Sequence, residues 1–332
     1  MKVVIPLAGK GTRLRPHTHV TPKPPLRVGG RPVMSYILDD LRTLGVEEIV
    51  FITGYLKEKI EAYIAAEYPD FRVHYVEQKV QDGTAGAVSL ARPHIDTDLL
   101  IIFVDTLFDA DLTLVRRLRA DEAGVIWAKE VEDYQRFGVI VHDEAGHMRH
   151  IIEKPKEPIS KLANIGLYYI RDWQLLFEGI AETLRRPLGK SGEYYLTDAF
   201  QYMIDQGAKI RVQTVEGWYD CGQVETLLET NRHLLEHGRA LEPVGGSNVR
   251  IVGPVRVEPG VQLDDVGLGP NVSIGKGSIL RSVELRDVIV GENVRLENVR
   301  LHDSLLGDEV ELRNFRGKVN LGDHAAVEGP DE

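Results

Sequence analysis

Apolar runs and helical periods alternate from the N-terminus. Val3 to Leu7 is a continuous strand-like run, and Met34, Ile37, Leu38, Leu41 and Leu44 recur at the spacing that lines one face of a helix. Ile49 to Thr53, Val73 to Val76 and Leu99 to Val104 read as further strands, with helical patterns at Glu58 to Ala66 and Ala85 to Ala91 between them. That alternation predicts an α/β fold built on a mainly parallel sheet covered by helices. The middle of the chain is less regular. Gly138 to Val141 and Ile165 to Ile170 read as strands, Trp173 to Thr183 and Thr197 to Gln206 as helices, which implies antiparallel pieces inserted into the core.

After Pro243 the pattern changes. Gly245-Gly246-Ser247 has linker composition, and short apolar steps then recur about every six residues, at Val255, Val261, Leu268, Ile274 and Leu280. Gly-containing corners fall at Pro259-Gly260, Gly269-Pro270 and Gly275-Lys276-Gly277, and a looser beat continues through Val288, Val294, Leu301, Leu306 and Leu312. This period predicts a left-handed parallel β-helix over residues 246–325, after a larger domain at 1–243. A β-sandwich fits less well, because its strands alternate at two with turns at about every eight to twelve residues.

With 332 residues and 43% hydrophobic content, the chain can bury a core in each of two unequal domains. No apolar run reaches the length of a membrane span, and Met1 to Pro6 reads as a strand start rather than a leader, so a cytoplasmic protein without a membrane partner is expected. The single cysteine, Cys221, fits a reducing compartment and excludes a cysteine-based metal cage. A formal charge of -11 argues against nucleic acid as a partner. Phosphate, if handled at all, belongs in a small basic site.

Such a site is suggested by Ile5-Pro6-Leu7-Ala8-Gly9-Lys10-Gly11-Thr12-Arg13-Leu14-Arg15-Pro16, followed by Thr21-Pro22-Lys23-Pro24. Glycines directly after a first strand let backbone N–H groups approach phosphate oxygens closely. Arg13 and Lys23 add fixed positive charge, and the prolines flanking Lys23 restrict the backbone that presents it. The spacing is not that of a P-loop, nor of the dinucleotide fingerprint, whose third glycine is absent. An ordinary strand-to-loop connection would also contain a lone Gly-x-Gly.

The segment resembles the signature of the sugar-1-phosphate nucleotidylyltransferases, in which Ala-Gly-x-Gly-Thr-Arg-Leu is followed about ten residues later by Pro-Lys-Pro. The similarity covers about residues 1–235, and the hexapeptide region resembles the long form of glucose-1-phosphate thymidylyltransferase. The resemblance implies a Rossmann-related, GT-A-like mixed sheet with helices on both faces, two magnesium-binding aspartates and no organic cofactor. Leu7, Ala8, Gly9, Gly11, Thr12 and Arg13 would hold the nucleotide.

Asp105 closes the apolar run Leu99 to Val104, which places it at the carboxyl edge of the sheet, where α/β folds bind ligands. It matches the Asp of the family's Gly-Asp motif, with Val104 in place of the usual Gly. Trp218-Tyr219-Asp220-Cys221-Gly222 is similar to the family's Trp-x-Asp-x-Gly and nominates Asp220 as the second Mg²⁺ ligand; without that likeness a cap or turn role is the simpler reading of either Asp. Gln78 and Gly83 keep the spacing Gln-x-x-x-x-Gly of thymidylyl- and uridylyltransferases, which implies that the amide reads a pyrimidine edge. A solvated loop glutamine is the plain alternative. Phe137-Gly138, Glu153-Lys154-Pro155 and Gly192-Glu193 match the sugar-phosphate pocket, with Gly138, Glu153, Lys154, Glu193 and Trp218 as binding residues. The Arg that often precedes the Gly-Glu pair is replaced by Ser191, so Lys190 is a candidate for the missing charge.

The implied reaction joins a nucleoside triphosphate, dTTP or UTP, to a sugar 1-phosphate, glucose 1-phosphate by resemblance, with release of pyrophosphate. Arg13, Lys23, Asp105 and Asp220 would be the catalytic set. Competing readings are a mannose-1-phosphate guanylyltransferase, a bifunctional acyltransferase, a non-catalytic regulatory homologue and a glycosyltransferase. No motif gives His302 or His324 a catalytic role. The C-terminal region is expected to drive homo-oligomer assembly, and a chain ending near Pro243 to keep transfer.

Overall fold

The computed structural model describes residues 1–188, 192–243 and 245–330, so the candidate charge at Lys190 and its neighbour Ser191 lie outside the described residues. The chain divides into two compact units, one of Met1–Gly9 with Ile37–Trp218, the other of Lys10–Tyr36 with Tyr219–Glu332.

The first unit holds a mixed sheet. Its strands are β1 (Lys2–Pro6), β2 (Glu48–Thr53), β3 (Arg72–Glu77), β4 (Leu99–Ile102), a short β5 (Thr106–Phe108) outside that sheet, β6 (Gly124–Glu130), β7 (Gly138–His142), β8 (Met148–Glu153), β9 (Leu162–Ile170) and β10 (Ile210–Thr214). The helices in chain order are α1 (Val33–Leu44), α2 (Lys57–Glu67), α3 (Thr84–Ser89), α4 (Trp173–Arg185) and α5 (Leu196–Asp205). Neighbouring strands run β8-β7-β9-β4-β1-β2-β3, with β6 on β9 and β10 on β6. Strands β3, β2, β1 and β4 are parallel, whereas β9 lies antiparallel to β4, β6 and β7.

This order has a direct consequence for ligand binding. Strands β1 and β4 are neighbours although β2 and β3 intervene in sequence, so the direction of winding reverses between them; open α/β sheets bind ligands outside such a point. Val4 stands beside Ile101, so the residues that follow both strands leave the sheet at the same edge.

Alternation explains why the sheet is covered on both sides. Val4, Val50, Ile52, Leu99 and Ile101 pack in one cluster with Ala87 and Val88 of α3, Leu176 and Ile180 of α4, and Ala199, Phe200 and Met203 of α5. The residues between them, Val3, Ile5, Phe51, Leu100 and Ile102, are equally buried. Each such side chain contributes about 1.5–3 kcal/mol of transfer free energy.

One strand boundary differs from expectation. The apolar run Leu99 to Val104 is strand only to Ile102, although the Phe103 N–H still donates to Gly166 O at 2.9 Å, in register with the pairing of Ile102 and Leu167. Val104 and Asp105 then form a turn before β5, so Asp105 lies in a turn beyond the strand rather than at its last position. Strands β6 and β8, which pair antiparallel with β9 and β7 respectively, and β10, which runs parallel to β6, have no clear period of their own in the sequence.

The second unit contains β11 (Trp218–Asp220) from Tyr219 onward, α6 (Val224–Leu234), and a stack of parallel strands: β12 (Ser247–Ile251), β13 (Val255–Val257), β14 (Gln262–Leu268), β15 (Val272–Ile274), β16 (Ile279–Val290), β17 (Arg295–Leu306), β18 (Glu311–Gly317), β19 (Asn320–Leu321) and β20 (Ala326–Glu328). Stacked partners repeat along the chain, Leu263 beside Leu280, Leu280 beside Leu296, Leu296 beside Leu312 and Leu312 beside Val327. The inward columns Leu263-Leu280-Leu296-Leu312 and Val266-Val283-Val299 form one buried core.

Corners are stacked as well. Asp265, Ser282, Asn298 and Asn314 all have φ between 51° and 55°, and Asn271, Asp287 and Asp303 make a second column with φ between 44° and 66°. Small polar residues tolerate this left-handed backbone best and bond along the column. Asn298 Nδ2 donates to Asn314 Oδ1 at 2.9 Å, and Asn271 Nδ2 to Asp287 Oδ1 at 2.7 Å. His302 and His324 sit exposed, each 3.1 Å from the carboxylate of Asp303 or Glu309.

Candidate active site

In the first unit the loop after β1 is fixed at its start. Leu7 N donates to Ile52 O at 2.7 Å, and Gln81 Nε2 donates to Ala8 O at 2.7 Å. Leu7 and Ala8 are buried while Gly9 is exposed, so the chain reaches the surface where the glycines begin.

Gln78 is not a solvated loop residue: it is 8% exposed. Its Nε2 donates to Asp82 Oδ1 at 3.1 Å and to Gly83 O at 3.4 Å, which ties the two residues of the Gln-x-x-x-x-Gly pair together. Gly83 has φ 113°, and a Cβ there would stand 2.4 Å from Tyr194 O. Glycine is therefore required by both backbone and space. Ala85 N donates to Tyr194 O at 3.0 Å, and Tyr194 N to Asp82 O at 2.7 Å, so this segment is stitched to the one carrying the Gly-Glu pair. Glu193 itself is exposed.

A second cluster surrounds Glu153. Gly138 and Glu153 are direct partners across β7 and β8. A Cβ on Gly138 would meet Asn164 Nδ2 at 2.4 Å and Glu153 Oε2 at 2.8 Å, so the glycine makes room for the carboxylate. The Thr197 hydroxyl donates to Glu153 Oε2 at 3.5 Å. Burial pushes the Glu153 carboxyl above the usual carboxylate range, against the opposing pull of Lys154 and the Thr197 hydrogen bond. Lys154 adopts φ 46°, its N–H donates to Phe137 O at 2.9 Å, and its ammonium lies 5.2 Å from the centre of the Tyr195 ring. Two adjacent residues thus point their chemistry differently, a carboxylate into the fold and a cation toward an aromatic face.

Trp218 meets Phe137 edge-on, with ring centres 4.9 Å apart. Its Nε1 is a buried donor without a partner, and so is the hydroxyl of Thr106 beside Asp105. Buried donors of this kind cost stability unless something accepts from them, and a ligand is one such acceptor.

In the second unit, Gly222 marks where the charged residues converge. A Cβ at that position would lie 2.7 Å from Asp220 Oδ1, 3.4 Å from Lys23 Nζ and 3.6 Å from Arg13 Nη2. The Gly222 N–H donates to Asp220 Oδ1 at 2.7 Å. Gly11 takes φ 60°, and its carbonyl accepts from the Thr18 hydroxyl at 2.8 Å. Thr12 opens a short 3-10 turn, Thr12–Leu14, that carries Arg13. Two basic residues and one carboxylate thus surround a glycine, an arrangement able to hold a phosphate chain with an associated cation.

Sequence reasoning missed Thr18, Asn164, Tyr194, Tyr195 and Thr197. Only Tyr194, Tyr195 and Thr197 had a signal available, their position directly after Gly192-Glu193. Among the described residues no group of three His, Cys, Asp or Glu side chains forms a metal-holding cluster.

The model of the nucleotidyl transferase family matches residues 2–237, and the chain belongs to that family. A bifunctional protein GlmU from Methanococcus aeolicus is 37% identical over 264 residues, 79% of this chain but 62% of that relative's length. A glucose-1-phosphate thymidylyltransferase from Streptomyces antibioticus is 30% identical over 312 residues, 86% of this chain and 85% of its own. The crystal structure of UDP-glucose pyrophosphorylase with UDP-glucose superposes with a TM-score of 0.63 at 25% identity, covering 71% of this chain and 98% of that one.

Proposed function

We propose that this protein transfers a nucleotidyl group from dTTP or UTP to a sugar 1-phosphate, giving a nucleoside diphosphate sugar and pyrophosphate, with glucose 1-phosphate as the sugar substrate. The convergence of Arg13, Lys23 and Asp220 on Gly222 carries this reading, because it supplies the charge pattern that a triphosphate with one cation requires. The relatives named for thymidylyl transfer and for UDP-glucose support the pyrimidine and the glucose.

An oxygen of the sugar phosphate attacks the α-phosphorus. The new bond forms as the bond from that phosphorus to the bridging oxygen breaks, and pyrophosphate leaves with the electron pair. The attacking phosphate has its second ionisation at about pH 6, so no side chain need remove a proton. Leu7, Ala8, Gly9, Gly11 and Thr12 line the triphosphate with backbone, while Arg13 and Lys23 offset its charge. Gln78 and Gly83 face the base. Gly138, Glu153, Glu193 and Trp218 hold the sugar hydroxyls, and Lys154 meets the sugar phosphate.

Asp105 and Asp220 would hold Mg²⁺. Two carboxylates suit this ion, which takes few protein ligands and keeps waters and phosphate oxygens as the rest. When bound, it neutralises charge on the phosphates.

We assign residues 1–243 to the catalytic domain and 246–325 to a left-handed parallel β-helix that also mediates homo-oligomer assembly. The stacked corners and inward columns support the β-helix. The lone cysteine is buried and fits a cytoplasmic enzyme, and no described helix is long and apolar enough to cross a membrane.

The test is Asp105→Asn and Asp220→Asn, each purified and compared with the parent for transfer and for circular dichroism. Transfer falls by orders of magnitude with the spectrum unchanged; parental activity in either variant removes that Asp from the reaction.

A further inference from the structure

Residues 10–36 belong to the same compact unit as the C-terminal strand stack, although two hundred residues of chain separate them. The contacts are specific. His17 is 1% exposed, and its Nε2 lies 2.5 Å from Asn320 Oδ1, so the ring donates from that nitrogen. The Thr21 hydroxyl donates to Asp323 Oδ2 at 2.5 Å, while the other oxygen of Asp323 accepts from Asp308 N at 3.1 Å. Arg27 pairs with Glu292. The N–H of Gly29 donates to Asn231 Oδ1 at 2.9 Å, and Asn231 Nδ2 in turn to Asn271 O at 3.0 Å. Even the backbone is close: a Cβ on Gly322 would stand 3.1 Å from the carbonyl carbon of Pro16.

The placement of these tethers within the loop matters more than their number. His17 and Thr21 both lie between Arg13 and Lys23. Thr18, next to His17, holds Gly11 through the 2.8 Å bond to its carbonyl. Thr21 is two residues before Lys23, and the intervening Pro22 leaves little backbone freedom. A glycine-rich loop has high conformational entropy of its own. Here the segment that follows its turn is fastened twice, at His17 and Thr21, to residues of the strand stack. Burial lowers the basicity of His17, which keeps the ring neutral against the Asn320 amide at neutral pH.

We infer that Asn320 and Asp323 of the strand stack are positioning residues for the phosphate-binding loop, acting through His17 and Thr21 to set Arg13 and Lys23 for nucleotidyl transfer. The stack is then part of the catalytic apparatus and not only an assembly module. A chain cut near Pro243 loses both tether partners and is expected to transfer with lower efficiency, where the sequence alone suggested only that measurable transfer remains. The inference rests on the proposed transfer activity for its consequence, but not for the tether itself.

The test is the double variant Thr21→Val with Asn320→Ala, which removes both tethers and leaves the Asp323 to Asp308 contact in place. Hydrogen exchange read across residues 11–23 should accelerate, kcat/KM for the nucleoside triphosphate should fall by about tenfold to 100-fold, mass should match the parent, and the melting temperature should fall modestly because the buried His17 donor loses its acceptor. The conservative pair Thr21→Ser with Asn320→Asp keeps both hydrogen bonds and should restore the parent values. Unchanged exchange refutes the tether. Faster exchange with unchanged kcat/KM refutes the positioning role. A parent protein inactive toward every triphosphate, with exchange still accelerated in the variant, overturns the transferase reading and leaves the tether standing.

Discussion

The Gly222 N–H donates to Asp220 Oδ1 at 2.7 Å, and a Cβ on Gly222 would lie 2.7 Å from that oxygen, 3.4 Å from Lys23 Nζ and 3.6 Å from Arg13 Nη2. Gly222→Ala should therefore act through three charged groups at once. The new methyl displaces the carboxylate, and kcat/KM for nucleotidyl transfer should fall by about 100-fold or more. The melting temperature should change little, because the displaced groups belong to the site. Steady-state kinetics and thermal melting on the same preparation check both halves.

Gly83→Ala should behave differently. Its φ of 113° and the 2.4 Å approach to Tyr194 O make the substitution strained and overpacked together. Strain alone costs about 1–3 kcal/mol. Urea unfolding should show a clear loss of stability, accompanied by loss of activity.

Glu153 provides a pH-dependent test. Burial raises its carboxyl above the unfolded value, so its contribution to stability is full below the unfolded range and is lost as pH rises through the folded value. Above the unfolded value that contribution declines, so the buried carboxyl costs stability relative to a neutral amide. Glu153→Gln should then melt at a higher temperature than the parent at pH 7.5, with the difference vanishing near pH 4, while the proposed role in the sugar pocket predicts that transfer falls. Melting curves across this range decide it.

Gln78→Ala should weaken base selection. With the bonds to Asp82 and Gly83 gone, the preference for dTTP or UTP over GTP should drop by about tenfold or more. Competition assays with mixed triphosphates measure the ratio directly.

The sequence made part of this legible for a physical reason. Strands β1 to β4 announce themselves because parallel strands buried on both faces read as continuous apolar runs. The glycine loop and Lys23 are legible because the backbone approach to phosphate proposed for them would restrict which residues fit. Strand β6 and strand β10 were missed because their burial comes from β9 and from each other, contacts between residues far apart in the chain. The same holds for the Tyr194 backbone against Gly83, and for His17 against Asn320. The end of β4 differs by two residues, since the apolar run continues through Phe103 and Val104 while the chain already turns at Val104 and Asp105. The sixfold beat of the C-terminal region marked buried positions such as Leu268, Ile274, Leu280 and Leu312 but not Leu263, Leu296 or the Val266-Val283-Val299 column, because stacked partners stand 16 residues apart where Leu280 meets Leu296, fewer than three full steps of six.

The most direct test of the whole account is pyrophosphate release from dTTP, UTP, GTP and ATP, each with glucose 1-phosphate and Mg²⁺. Rapid release with dTTP or UTP, dependent on the sugar phosphate and accompanied by the corresponding nucleoside diphosphate glucose, is the expected result. Release with GTP in preference, or none with any of the four, would contradict it.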